Sequence, residues 1–111
     1  MQEINWDDFA KIELRAGTII EALEFPAAQK PAYKIKVDFG IYGTRWSSAQ
    51  ITANYSLSDL QGKQVLAVLN FPHKQIANFI SECLITGFPD KNGNIVLASV
   101  ESEVPNGSLL I

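Results

Sequence analysis

At 111 residues the chain is long enough for one hydrophobic core and too short for two. Apolar residues make up 47% and charged residues 19%, an ordinary globular balance that excludes disorder over the whole length. The formal net charge of −3 argues against tight, non-specific gripping of phosphate backbones, though a local basic patch stays open. No run reaches about 18 apolar residues, so no membrane insertion is expected. The opening Met1-Gln2-Glu3-Ile4-Asn5-Trp6-Asp7-Asp8 lacks the basic and apolar regions of a signal peptide, and a cytoplasmic location is the expectation.

In chain order, Asn5 is placed to cap a short helix that carries Trp6 and Phe9 on one face, with Asp7 and Asp8 in its first turn. Residues 12 to 25 read as a long strand in which Gly17 marks a bulge or bend. A loop, Gln29 to Ala32, precedes the alternation of Tyr33, Ile35, Val37 and Phe39 with Lys34, Lys36 and Asp38, a half-buried strand with a basic wet face. Gly40 to Gly43 turns the chain into a third strand running through Ile51. Ser56-Leu57-Ser58-Asp59-Leu60 has the pattern of a capping box on one helical turn, stopped by Gly62. Residues 65 to 69 are apolar on both faces and read as a central strand. Residues 83 to 88 and 95 to 100 flank Asp90-Lys91-Asn92-Gly93-Asn94, a hairpin signal. Pro105-Asn106-Gly107 turns into an apolar end, Leu109-Leu110-Ile111.

This order predicts an all-β, single-domain chain over 1–111: a five-stranded OB-fold barrel with a short helix between strands 3 and 4 and short terminal extensions. Such a barrel offers its strand 2–3 face and adjoining loops to ligands.

The residues point to binding chemistry. One histidine, His73, and one cysteine, Cys83, make neither a zinc site nor a nucleophilic relay. Ser47-Ser48 lies outside any Gly-x-Ser-x-Gly elbow, and no phosphate loop is present. No enzyme, metal or cofactor is expected, and Cys83 reads as a small buried hydrophobe. Lys34, Lys36, Arg45 and Lys74, with Trp46 and Tyr33, are of the types that hold RNA by phosphate pairing and base stacking. If Arg45 starts strand 3 beside Lys34 and Lys36, three cations meet; the competing reading is that both lysines only solvate a strand. Trp46, Ser48 and Gln50 share one strand face, wet or turned to the core. Trp6, Phe9, Leu109, Leu110 and Ile111 have three readings: completing the core, forming a homodimer seam of about 800 Å2 per partner, or lining a groove for unfolded peptide.

The segment from Phe9 to Gly17 resembles the opening strand of the tRNA-binding domain that stands alone or is appended to methionyl- and phenylalanyl-tRNA synthetases. The nearer resemblance is to its CsaA branch of small export-related chaperones. It is carried by Pro31 to Gly40, Ser47 to Thr52 with Tyr55, Gly62 to Val65, Asn70-Phe71-Pro72 with Lys74-Gln75-Ile76, Ser81 to Leu84 with Gly87, and Val104 to Gly107. The resemblance implies a homodimeric OB-fold barrel, a tRNA-binding surface, and ATP-independent holding of unfolded or pre-export polypeptides. It adds Asn70, Ser81 and Glu82 to the ligand face, with Glu82 equally placed to be a structural hydrogen-bond acceptor. Relatives that bind tRNA are more basic across residues 73 to 82, where this chain has Gln75, Ala77 and Ile80 beside Lys74.

Overall fold

The computed structural model describes residues 1–111. Helix α1 (Trp6–Ala10) starts at a reciprocal capping box between Asn5 and Asp8 and leads into the long strand β1 (Leu14–Glu24). Then follow β2 (Tyr33–Asp38), a 3-10 turn, β3 (Thr44–Ala49), α2 (Leu57–Leu60) and β4 (Gln64–Val68). Five short strands complete the chain: β5 (Lys74–Ile76), β6 (Phe79–Ser81), β7 (Leu84–Ile85), β8 (Gly87–Pro89) and β9 (Ile95–Leu97).

The main sheet runs β3-β2-β1-β4-β7, antiparallel throughout, and curls into a nearly closed OB-fold barrel. Strand β1 serves two neighbours along its length. Its first half pairs with β4 and its second half with β2. The edge that β2 leaves free at Leu14–Ala16 is taken by the C-terminal segment, through Ala16 N–H to Ser108 O at 2.9 Å and Leu110 N–H to Leu14 O at 2.8 Å. The interior holds Ile19, Ile35, Val37, Phe39, Leu60 and Val65, all without solvent contact. Each such side chain contributes about 1.5–3 kcal/mol on burial.

Four details depart from expectation. The irregularity in β1 falls at Ile20, between the pairs Ile19–Val37 and Glu21–Lys36, while Gly17 pairs regularly with Val65. Gly17 is needed for packing instead: a Cβ there would lie 2.6 Å from Val37 Cγ1 and 2.7 Å from Phe39 Cδ1. Strand β3 stops at Ala49, short of Ile51. The strand expected over 83–88 is two strands, because β7 pairs with β4 whereas β8 pairs with β9. Thr86 is the switch point, its N–H donating to Leu66 O at 2.9 Å and its carbonyl accepting from Ala98 N–H at 3.0 Å. Last, residues 74–81 form an unforeseen hairpin, β5–β6, whose turn puts Ala77 at φ 53°. No helix is long and apolar enough to cross a membrane.

Candidate functional site

The register of β2 on β3 sorts the predicted residues. Lys34 faces Ser48 and Lys36 faces Trp46, so these four share the outward side of the sheet, while Ser47 and Ala49 turn into the core. The face of Trp46, Ser48 and Gln50 is therefore the wet one. Arg45 opposes Val37, on the other side. Its guanidinium donates to Leu69 O at 3.0 Å and Glu82 O at 3.5 Å, tying β3 to the end of β4. The three-cation cluster does not form, because alternation along a strand separates Arg45 from both lysines.

Hairpin β5–β6 reaches that outward face through Phe79. Its ring lies 5.3 Å from Phe25 and 6.0 Å from Trp46, edge-on in both cases. Lys34 Nζ sits 4.9 Å from the Phe25 ring centre and 5.4 Å from that of Phe79; Lys36 Nζ is 5.8 Å from that of Trp46. Contacts of this kind at exposed sites contribute about 0.5–1 kcal/mol each. The two lysines are thus neither plain solvating charges nor free ones. A cleft of about 450 Å3 opens among Leu23, Lys34, Trp46, Phe79, Ile80 and Glu82. A second, of about 500 Å3, is lined by Lys30, Ser48, Gln50, Lys74 and Ala77 among others. Lys74, at the foot of the hairpin opposite Ser81, is exposed.

Three of the expected ligand residues spend their polar atoms inside the fold. Glu82 Oε1 accepts the Trp46 N–H at 2.9 Å and Glu82 N–H donates to Trp46 O at 2.7 Å, the acceptor role left open above. Ser81 Oγ accepts the Ser48 N–H at 3.2 Å. Asn70 joins the N-terminal segment to the barrel, its Oδ1 accepting Glu13 N–H at 3.0 Å and its Nδ2 donating to Lys11 O at 2.7 Å. Burial pushes the Cys83 thiol up to about 12 and so keeps it protonated, although the nearby Arg45 acts in the opposite direction.

The apolar termini do not complete the core. Trp6 is 68% exposed, and its ring lies 5.3 Å from that of the half-buried Phe9, tilted by 54°. Leu109, Leu110 and Ile111 are exposed although their backbone runs beside β1. Phe25 and Phe79, central to the outward face, carried no pattern signal of their own. Phe79 stands two residues before Ser81 in a segment without strand-length alternation, so no sequence signal placed it on this face.

The matched regions follow this architecture. A model of the putative tRNA binding domain matches residues 14–109. The crystal structure of chaperone CsaA from Bacillus anthracis str. Ames is 43% identical, covers 99% of this chain and 100% of its own, and superposes with a TM-score of 0.92. The CsaA chaperone protein from Picrophilus torridus is 46% identical over 98% of this chain and 100% of its own, with a TM-score of 0.90. A methionine–tRNA ligase of Porphyromonas gingivalis is 31% identical over 107 residues, 96% of this chain. The chain spans only 15% of that ligase. On the extent of the match and of the barrel that carries it, the chain belongs to the putative tRNA binding domain family.

Proposed function

We propose that this chain is a non-enzymatic, cytoplasmic binding protein of the CsaA type, working as a homodimer that holds unfolded or pre-export polypeptides without ATP. The observation that carries the reading is the convergence of two exposed apolar segments. Helix α1 ends at Ala10, three residues short of β1, and Leu14 at the head of β1 accepts the Leu110 N–H, so both extensions adjoin the start of β1. Trp6, Leu109, Leu110 and Ile111 stand exposed there, with Phe9 half-buried beneath Trp6. Surface of this character calls for a partner, and a second copy and an apolar client segment are the partners assigned to it. Likeness to CsaA chaperones over whole chains supports the assignment.

The test is aggregation of reduced insulin followed by light scattering, with the protein's own mass measured in parallel. A dimer that suppresses aggregation at near-stoichiometric ratio is expected. Unchanged aggregation at excess protein rejects the chaperone reading, and a monomer at micromolar concentration rejects the dimer.

The family match and the outward Lys34, Lys36 and Trp46 favour a second reading, an RNA-binding face. With Arg45 turned away, Lys34, Lys36 and Lys74 remain for phosphates among the cations singled out, and Ser48 and Gln50 line the neighbouring cleft. About three contacts to a single strand give a log–log salt slope of about −2. A salt titration against bulk tRNA checks this; binding that ignores salt removes the basic face as its cause.

A further inference from the structure

The two-residue alternation of β3 points the main-chain groups of Trp46 and Ser48 away from β2, toward the Ser81–Glu82 segment, and Gln50 follows directly after the strand's last residue, Ala49. Along that edge the partners thin out. Trp46 is satisfied twice by Glu82, through the carboxylate at 2.9 Å and the amide at 2.7 Å. Ser48 donates its N–H to the Ser81 hydroxyl at 3.2 Å, and its carbonyl meets only a 3.4 Å contact from the Ser47 hydroxyl. Gln50 has no hydrogen-bond partner in the chain for its main-chain N–H or its carbonyl. Beside these open groups lies a cleft of about 520 Å3, lined by Ser48, Gln50, Ile76, Leu84, Ile85 and Ile95 among others.

We propose that this open edge takes an extended polypeptide segment by strand addition. The peptide residue facing Gln50 exchanges both main-chain hydrogen bonds with it, and the N–H two residues along reaches the Ser48 carbonyl. Peptide side chains on one face enter the apolar cleft, so main-chain bonds supply affinity that does not depend on client sequence. The chemistry selects the occupant. A donor and two acceptors on Gln50 and Ser48 are matched by another chain's alternating C=O and N–H groups; Lys74 also lines the cleft, but a phosphodiester drawn to it would bring anionic oxygens against two open carbonyls. The inference rests on the client-binding reading above and adds a main-chain anchor to its apolar surface.

The experiment uses the hexapeptide Ac-Thr-Val-Lys-Val-Thr-Val-NH2 and two twins, one N-methylated on the odd residues and one on the even residues, titrated against the intact protein. A single edge bonds only alternate peptide residues, so one twin is expected to lose at least tenfold in affinity while the other stays within about threefold of the parent. Saturating parent peptide is expected to slow exchange of the Gln50 amide at least tenfold. Equal affinity of both twins, or an unprotected Gln50 amide, overturns strand addition. Absence of parent-peptide binding also overturns it; aggregation of reduced insulin still suppressed in that case leaves the chaperone reading standing, and aggregation unchanged fails both. Gln50 protection by tRNA that displaces the peptide assigns the cleft to RNA and overturns the proposal.

Discussion

The two sides of the barrel are held by different kinds of bond. On one side, β2, β1 and β4 are joined by main-chain ladders, interrupted only at Ile20, around Ile19, Ile35, Val37, Phe39 and Val65. On the other, β3 meets the segment before β7 through one main-chain bond, Glu82 N–H to Trp46 O, and through the side chains of Glu82, Ser81 and Ser47, with Arg45 donating to the Glu82 carbonyl at 3.5 Å. A ladder tolerates nearly any side chain that suits the faces of the sheet. A seam made by side chains depends on those residues in particular. The comparison teaches that stability is concentrated at the ladders, while the seam is the part of the barrel that can be tuned or opened.

The largest expected effect lies in the ladder half. Phe39→Ala empties a fully buried aromatic site that also lies against Gly17, and is expected to cost about 3–5 kcal/mol in a denaturant titration. A loss below about 1 kcal/mol would mean that the ladders, rather than the core they enclose, hold this side. At the seam, Glu82→Ala leaves the Trp46 N–H without its acceptor and is expected to cost about 1–3 kcal/mol. Glu82→Gln keeps an oxygen in place and should recover most of that loss. If Glu82→Gln is as harmful as Glu82→Ala, charge rather than hydrogen bonding closes the seam, and the contrast between the two halves has to be redrawn.

The smallest effect concerns Asp90, in the β8–β9 turn. The Asn54 carboxamide, first, and then the Asn92 N–H hold its carboxyl below the usual carboxylate range. A depressed folded value means stability that is present above the unfolded value, near pH 4, and lost as pH falls through the folded one. Asn54→Ala removes the larger cause, so thermal melts from pH 5 to pH 2 are expected to show a shallower acid loss than the parent. Parallel acid profiles would show that the Asn54 carboxamide is not what holds the Asp90 carboxyl down.

Most of the ladder half was legible in the sequence, because it is written in local patterns. The alternation of residues 33–39 named the buried and wet faces of β2, Ser56 and Asp59 named the capped turn, and Asn92-Gly93 the hairpin. Those signals act over two to four residues, within reach of strand period, helix pitch and turn geometry. The site was only partly legible. That Trp46 lies outward and Arg45 inward depended on a register between strands, and that Glu82 closes the seam depended on a hydrogen bond to a residue 36 positions away. The sequence by itself determined an all-β barrel, the order of its elements through β4 and a family resemblance. Tertiary structure alone decided which cations lie over rings and which turns inward, which polar groups are spent and where an edge stays open, because each is a pairing between distant segments that no local period encodes.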